Sequence, residues 1–529
     1  MKATLAHPVE PIDLSRPEPP GHADCFQDLG LDALVSAAST SVPDAGAVVA
    51  WALAHPLTDL NVIHHRQDVV TDFLAHPHLL DDLLAVCTEA LATQRSIRQA
   101  FFWMTEHPDA SLRRSVDVLQ GLLPHLTTMR DLAARHESTV QSQGLGDLFR
   151  ELQRDLDESR LKALGADLEA LRFDDGVLTD VRLGPGACIE GYRLSRPRNR
   201  RRTERLSERV DPRRTVKAPP TAEGGVEITA LRDNALAMVS ADLERAHRHL
   251  VGFLEQLRLQ LCLVAGGVAL DRAMAEHGLP RCLPDPQEPG ARESDVRSLC
   301  HLGIALRTTQ PVVGNDLVAE DRSAIVVTGA NNGGKSTFLR SLGQAQLLMQ
   351  AGFTVPAERF RLGVVHGVHT HFRRGEDRTM TSGKLVEEME RMSTLVDRVR
   401  PHSLVLFNES FATTYELEGT RIASTVVRAL IDCDVAVVYV THMYELVRWF
   451  IDSVPGSGCL VAERAADGRR TLRIVPSEPE RTSYALELYD TLVTAPSERQ
   501  GVRERGEDSP SEPTGDTEHI QATGQERHS

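Results

Sequence analysis

A glycine-rich turn is the part of the sequence best suited to bind phosphate. Residues 328–337 read TGANNGGKST and contain the pattern G-x-x-x-x-G-K-S. Glycines let the backbone curl so that several N–H groups point at phosphate oxygens, and a following helix adds the positive end of its dipole. In such loops the lysine, here Lys335, reaches the β- and γ-phosphates, and the next hydroxyl, here Ser336, coordinates Mg²⁺. The turn therefore predicts a site for ATP and Mg²⁺.

The sequence around the turn separates this hypothesis from the alternative of an ordinary glycine-rich turn. The apolar run AIVVT (324–328) comes directly before it and is typical of a short buried strand. A helix-like segment follows, and strand, loop and helix in this order form the required context. The predicted nucleotide-binding residues are Gly329, Ala330, Asn331, Asn332, Gly333, Gly334, Lys335, Ser336 and Thr337.

A second apolar run, SLVLFNES (403–410), ends in a polar pair. Phosphate-loop ATPases hold magnesium and activate the attacking water with acidic residues at the end of a buried strand. Here the first position is Asn408, which accepts a hydrogen bond from metal-bound water but brings no charge, so we expect a weaker hold on Mg²⁺. Glu409 is predicted to orient or deprotonate water. The alternative is that Glu409 only caps the following helix.

A third run, VAVVYVT (435–441), is followed at once by His442. The carboxyl ends of strands line the ligand crevice in doubly wound sheets, so His442 is predicted to face the nucleotide and to sense the γ-phosphate or place the water. The alternative is a surface histidine. The predicted catalytic residues are therefore Lys335, Glu409 and His442, and the predicted metal residues are Ser336 and Asn408.

Strands that alternate with helices from about residue 323 predict an α/β domain with a mainly parallel sheet covered on both faces. Residues 459–475 are interpreted as a hairpin around Asp467-Gly468. The predicted organisation is a flexible Pro-rich leader (1–24), a helical core and lever (25–310), the α/β phosphate-loop domain (311–492) and a disordered acidic tail (493–529).

The region before the α/β domain has the apolar spacing of helices, for example in Leu79–Leu91 and Val118–Ala134. Leu145–Leu171 is either one long two-sided helix or one arm of a helical pair. Residues 172–194 change to Gly-punctuated β-type runs, which predict a small strand element. Val226–His277 returns to a long helical pattern, so two helical arms around a short connector indicate an out-and-back lever.

Composition sets limits on the function. A formal net charge of −16 argues against a protein that coats DNA by its whole surface. One local segment, Arg193–Lys217, has ten arginines between Arg193 and Arg214 and only three acidic residues among them. It is either a contact to DNA phosphates or a solvated, disordered insertion.

Cysteine and hydropathy patterns bear on the compartment. The eight cysteines are scattered without a C-x-x-C or Cys/His ligand spacing, and we interpret them as small core residues in a reducing compartment. The first 24 residues lack an apolar signal-peptide core, and we expect no apolar stretch to reach the length of a membrane span. We therefore expect a cytoplasmic protein without a membrane partner.

The motifs together resemble those of the MutS family. TGANNGGKST is similar to the family's phosphate loop, TGxNxGGKST, and Asn331 stands at the family's Asn. Other similar segments follow in family order: FQDLGLDALV (26–35), HPLTDLNVIHHRQDVVTDFL (55–74), NDL (315–317), AGFTVPAERFRLG (351–363), EEM (387–389), LVLFNE (404–409) and THMYEL (441–446). The resemblance implies an ATPase that works as a homodimer, closes on ATP and moves helical arms that hold DNA or a partner.

The chain also departs from the family pattern. Asn408 begins NESFATTYE where the family has D-E-x-G-R-G-T-S-T, and no Phe-x-Glu reading motif precedes the helical core. Mismatched DNA stays a candidate ligand, but structured or branched duplex fits better without a reading domain. The alternative, favoured by Asn408, is a nucleotide-gated interaction protein with little ATP turnover and no mismatch recognition. A transporter ATPase of the ABC type is disfavoured because no LSGGQ-like signature is present.

Overall fold

A computed structural model of the chain contains a helical region followed by two sheets. The structure describes residues 2–7, 10–100, 108–172, 179–183, 189–194, 223–319, 323–374, 383–465 and 469–479. The helices of the first region are α1 (His22–Leu29), α2 (Asp32–Ala38), α3 (Ala45–Ala54), α4 (Leu60–Ala75), α5 (Pro77–Ala100), α6 (Pro108–His136), α7 (Gln143–Asp155), α8 (Glu158–Ala170) and α9 (Glu223–Glu276).

The antiparallel hairpin of β1 (Thr179–Leu183) and β2 (Ile189–Leu194) lies between α8 and α9, which confirms the predicted strand element. Of the two alternatives for Leu145–Leu171, the single long helix is wrong, because α7 ends at Asp155 and α8 begins at Glu158. Asp157 causes this break, since its carboxylate accepts a hydrogen bond from the backbone N–H of Ser159 at 3.1 Å and so caps α8.

The expectation of a flexible leader over residues 1–24 is also wrong for the part that the structure describes. The side chains of Leu5 and Ile12 are buried in the core, with 0% and 2% of their surface exposed. The backbone N–H of Ala6 donates to Oε1 of Gln260 in α9 at 2.8 Å, and the carbonyl of Ala6 accepts from Arg66 in α4. Buried polar partners therefore hold this segment in place.

Helix α9 is 54 residues long and packs against α2 to α6. Its part Leu236–Glu276 contains a window that is long and apolar enough to cross a membrane, which corrects the expectation that no stretch reaches that length. Within the fold, 78% of this window is buried by other parts of the protein. The same length and composition are found in core helices of globular proteins.

The six-stranded sheet consists of β6 (Ala324–Gly329), β8 (Val368–Phe372), β9 (Leu404–Asn408), β10 (Ala436–Val440), β11 (Gly458–Arg464) and β12 (Arg470–Pro476). Its order is β12-β11-β6-β10-β9-β8, and all neighbours are parallel except β11 and β12. The three predicted strands and the predicted hairpin are confirmed. Asp467 and Gly468, the predicted turn, lie outside the described residues.

Both faces of this sheet are covered, as its continuous apolar runs predict. The covering helices are α11 (Lys335–Gln350), α12 (Lys384–Val396), α13 (Glu416–Asp432) and α14 (Tyr444–Ser453), and a short α10 (Leu302–Ala305) comes before them in the chain. Alternate residues of the strands belong to two hydrophobic cores: Ile325 and Leu406 face α11 and the helical region, whereas Val326 and Phe407 face α12, α13 and α14.

A four-stranded sheet consists of β3 (Asp285–Gln287), β4 (Ser294–Leu299), β5 (Asn315–Ala319) and β7 (Arg359–Gly363). Its order is β3-β7-β4-β5, and it lies beside α11. The predicted boundary between residues 310 and 311 runs through this sheet, because β3 and β4 form hydrogen bonds with strands that follow it. We propose that the second region begins after α9, near residue 279.

The helix that follows the phosphate loop, α11, is tied to the helical region by polar contacts along its length. Arg340 donates to the carbonyl of Asp28 at 2.7 Å, and Gln344 donates to that of Leu29 at 2.8 Å. At the far end, Gln350 donates to the carbonyl of Leu57 at 2.7 Å. The helix therefore connects the loop directly with α1 and with the segment before α4.

Two other predicted segments, Arg193–Lys217 and the acidic tail 493–529, lie almost wholly outside the described residues. Only Arg193 and Leu194 of the first segment are described, as the end of β2.

Candidate functional site

The predicted phosphate loop is a tight turn between the carboxyl end of β6 and the start of α11. Gly329 and Gly334 have φ values of 106° and 94°, which favour glycine, and Gly334 is the residue before the first turn of α11. The N–H of Gly333 closes the turn on the carbonyl of Ala330 at 3.2 Å. A Cβ atom on Gly329 would lie 2.9 Å from the backbone nitrogen of Ala462 in β11. The glycines are therefore required by backbone conformation and by the close packing of the hairpin.

The other predicted loop residues differ in exposure. Ala330 is buried, Asn331 and Asn332 are exposed, and Thr337 is half-buried in the first turn of α11. Asn332 has a φ of 58°, a left-handed conformation that Asn tolerates better than most residues. The exposed asparagines stand at the tip of the turn, where a ligand can approach them.

The side chain of Lys335 bends back over the loop. Its Nζ donates to the carbonyls of Gly329 and Ala330 at 2.8 and 2.9 Å, and only 5% of the residue is exposed. Burial lowers the pKa of Lys335, Glu409 acts in the opposite direction, and the positive charge of Arg470 lowers the pKa further. A second positive charge near a buried lysine favours an anion at this place.

Ser336 and Asn408 come together although 72 residues separate them. The hydroxyl of Ser336 donates to Oδ1 of Asn408 at 2.8 Å. Asn408 ends β9, so its amide oxygen reaches across the end of β10 to the start of α11. One hydroxyl and one amide oxygen thus face the same point next to the loop.

Glu409 and His442 form the second pair of the site. Oε2 of Glu409 and Nδ1 of His442 lie 2.5 Å apart. The hydrogen bond with Glu409 raises the pKa of His442, and burial works against this increase. The pair therefore favours a protonated imidazole that donates to the carboxylate.

The strand order explains why these side chains meet. The parallel strands β6, β10 and β9 are neighbours, and the loop, His442 and the Asn408-Glu409 pair follow their carboxyl ends. The carboxyl ends of parallel strands form the ligand crevice of an open α/β sheet. All five side chains predicted to act in catalysis or metal binding lie along this edge: Lys335, Ser336, Asn408, Glu409 and His442.

The side-chain oxygens of the site fit an Mg²⁺ ion that is bound jointly by the protein and by a phosphate-containing ligand. The part of the chain that the structure describes contains no group of three His, Cys, Asp or Glu side chains that could enclose a metal ion. Mg²⁺ usually keeps several waters and takes one or two protein oxygens together with substrate phosphates. Ser336 and Asn408 supply oxygens of that kind.

Sequence reasoning missed how the hairpin of β11 and β12 borders the loop. Asn315 in β5 accepts a hydrogen bond from the N–H of Ile474 at 2.7 Å and so holds β12 against the second sheet. Leu472 packs on the loop at Gly334, and Arg470 lies close enough to affect Lys335. In the sequence, a basic residue at the start of a strand does not indicate that the strand lies next to a phosphate loop.

Sequence reasoning also missed a buried polar network behind Glu409, formed by His371, Ser410 and Tyr439. All three side chains are at most 1% exposed. The available signal was a tyrosine within the apolar run 435–441, because a buried phenol needs a hydrogen-bond partner.

A phosphate loop after a buried strand, with polar residues at the ends of two further parallel strands, defines the class of phosphate-loop nucleotide-binding α/β proteins. The family comparison is more specific. Residues 58–277 match the model of the MutS2 N-terminal domain, and residues 325–489 match the model of MutS domain V. The chain belongs to the MutS family.

Relatives with similar sequences carry the name DNA mismatch repair protein MutS. A protein from Thermus thermophilus is 28% identical over 476 residues, which are 83% of this chain and 56% of that protein. The protein from Thermus aquaticus is 26% identical over 501 residues, 88% of this chain and 59% of that protein. In Porphyromonas gingivalis the identity is 34% over 146 residues, 27% of this chain and 16% of the relative. The chain thus spans a little over half the length of the Thermus relatives.

Proposed function

We propose that this protein binds and hydrolyses ATP with Mg²⁺ as a MutS-like ATPase. The main support is the position of Ser336, Asn408, Glu409 and His442 around one phosphate loop, at the ends of three neighbouring strands. The MutS domain V match over residues 325–489 includes this whole site.

In the proposed reaction, Lys335 and the loop N–H groups bind the phosphates, and the N-terminus of α11 adds its dipole. Ser336 and Asn408 would hold Mg²⁺, which supplies charge neutralisation at the phosphate oxygens when it is bound. Glu409 orients the attacking water and takes up its proton, while the hydrogen bond from His442 holds the carboxylate in position. Asn408 brings no charge, so we expect turnover to be slow.

The test is a steady-state ATPase measurement on the unmodified protein beside Lys335→Ala and Glu409→Gln. We expect turnover in the unmodified protein, nucleotide binding weakened by about 10–100-fold in Lys335→Ala, and binding without turnover in Glu409→Gln. An equal rate in all three proteins would show that the activity does not come from this site.

A second candidate is a nucleotide-gated interaction protein that binds ATP and hardly hydrolyses it. Asn408 in place of an acidic residue favours it, because the metal then lacks one negative charge near its ligands. The segment after Glu409 also lacks the glycine and arginine pattern that the family resemblance leads one to expect. Tight ATP binding by the unmodified protein, with no turnover in the same assay, would select this candidate.

We propose a homodimer that binds DNA, with mismatched or branched duplex as the ligand. The names of the relatives support a role in DNA repair, and the long helix α9 with α6 supplies a helical arm. DNA binding is tested on mismatched, branched and plain duplexes with and without ATP, over a range of salt. The logarithm of the binding constant falls with the logarithm of salt by about 0.9 for each phosphate contact, so neutral substitutions in 193–214 should flatten this slope if the arginines contact DNA. Equally negligible binding to all duplexes would exclude this ligand.

The proposed compartment is the cytoplasm. The seven cysteines in the described ranges are free, and four of them are buried. Unpaired core cysteines fit a reducing compartment. Cell fractionation of a tagged chain checks this proposal, and recovery with membranes would contradict it.

A further inference from the structure

The backbone next to Glu409 has an unusual conformation. Glu409 has a φ of 55° and Phe411 a φ of 59°, both in the left-handed region that residues other than glycine rarely adopt. Such a conformation costs free energy and persists only where its surroundings hold it. The N–H of Glu409 donates to the carbonyl of Val440 at 2.9 Å, which fixes one side of the turn.

Ser410 fixes the other side, because its hydroxyl and its carbonyl both have buried partners. The hydroxyl of Ser410 donates to the backbone carbonyl of His371, near the end of β8, at 2.6 Å. The oxygen of the same hydroxyl lies 2.7 Å from Nδ1 of His371. The hydroxyl of Tyr439, in β10, donates to the carbonyl of Ser410 at 2.7 Å. The turn after β9 is therefore held by both neighbouring strands.

The side chains of His371 and Tyr439 have further buried contacts. Nε2 of His371 lies 3.1 Å from the carbonyl of Glu388, and the imidazole ring stacks on Phe411 with centroids 5.5 Å apart. The ring of Tyr439 stacks on Phe407 with centroids 4.8 Å apart. Burial raises the pKa of Tyr439, so the phenol keeps the proton that it donates.

We propose that Ser410, held by His371 and Tyr439, is a positioning residue that keeps the Glu409 carboxylate in contact with His442. The catalytic part of this inference rests on the proposed function. In the family pattern this turn contains glycine and arginine, whereas here the buried polar network stabilises it. Without the network, the backbone of Glu409 would leave its left-handed conformation, and the Glu409 carboxylate would lose its contact with the imidazole of His442.

Two variants weaken the network with small changes in volume, Tyr439→Phe and Ser410→Ala. Tyr415→Phe is the matched control, since it removes the same hydroxyl from a residue that is 68% exposed. The first readout is the titration of the His442 imidazole by NMR in nucleotide-free protein, assigned by its loss in His442→Gln. Glu409→Gln gives the His442 titration without the carboxylate.

We expect the pKa of His442 in Tyr439→Phe and Ser410→Ala to shift toward its value in Glu409→Gln, and the pKa in Tyr415→Phe to stay unchanged. The second readout is turnover, in which both network variants should lose at least about 10-fold in kcat with ATP affinity within about 2-fold. If Ser410→Ala does not fold, Tyr439→Phe alone decides.

An unchanged His442 titration in a folded network variant would overturn the positioning role. A fall in melting temperature without a change in the His442 titration would mean that the network is only structural, and this also counts against the proposal. If the unmodified protein binds no ATP, the proposed function fails, yet the titration in nucleotide-free protein still decides whether the network positions Glu409.

Discussion

The substitution Asn408→Asp tests the consequence of the missing charge beside the phosphate loop. It keeps the size of the side chain and the oxygen that accepts from Ser336 at 2.8 Å, and it adds one negative charge. Groups that orient metal ligands change metal affinity by about 10–100-fold when they are altered, which is about 1.4–2.7 kcal/mol. Asn408 is only half-buried, so solvent screening favours the lower value. We expect a roughly 10-fold lower Mg²⁺ concentration for half-saturation of nucleotide binding.

The same substitution should have little effect on the metal-free fold. A new carboxylate next to Glu409 is repelled by about 1 kcal/mol at 4 Å in water. Lys335, which is 5% exposed and lies at the same edge of the sheet, attracts it. Because the two effects oppose each other, we expect the unfolding free energy without Mg²⁺ to change by less than about 1 kcal/mol.

The assay is a Mg²⁺ titration of the binding of a fluorescent ATP analogue. The matched variant Asn408→Ala removes the oxygen without adding a charge, and it should raise the Mg²⁺ concentration for half-saturation above that of the unmodified protein. An identical half-saturation in Asn408→Asp, Asn408→Ala and the unmodified protein would refute the reasoning that this residue supports the metal.

Three further predictions concern the phosphate loop, the pair formed by Glu409 and His442, and helix α11. Lys335→Ala should weaken nucleotide binding by about 10–100-fold in equilibrium titration, because a hydrogen bond to a charged group contributes about 1.5–3 kcal/mol; unchanged affinity would exclude this loop. Since Glu409 raises the pKa of His442 above 6.5, the pair stabilises the fold below pH 6.5 and loses this contribution as pH rises through the raised pKa. The melting temperature of Glu409→Gln should therefore fall below that of the unmodified protein at pH 6, and the difference should shrink by pH 9; a constant difference would contradict this. Gln350→Ala should lower the unfolding free energy by about 3 kcal/mol, because this fully buried side chain bonds to the backbone at Leu57 and its loss leaves buried groups unpaired; denaturant unfolding measures the effect, and a change below about 0.5 kcal/mol would refute it.

The predictions of the buried strands and of the phosphate loop depend on local patterns, and they agree with the fold. The apolar runs that predicted β6, β9 and β10 are strands, because a fully buried parallel strand needs a continuous apolar sequence. The phosphate loop could also be located from the sequence, because its glycines and its lysine are neighbours in the chain. The positions of Asn408, Glu409 and His442 at strand ends could also be anticipated, because parallel strands end at a common edge.

Predictions that depended on long-range contacts were less successful. The leader was expected to be flexible from its prolines, but Ala6 is held by Gln260 and Arg66, which are far away in the chain. The predicted boundary at residues 310 and 311 runs through the four-stranded sheet, because a change in periodicity does not show which strands form hydrogen bonds with β7. Neither feature has a local sequence signal.

The sequence by itself therefore determined a phosphate loop, its strands and the residues along one sheet edge, since these follow from residue type and short spacing. Only the tertiary structure decided which side chains touch. Ser336 meets Asn408 across 72 residues, and Ser410 meets His371 across 39. The physical reason is that strand order and burial, not sequence distance, bring these groups together, and burial then makes their hydrogen bonds necessary.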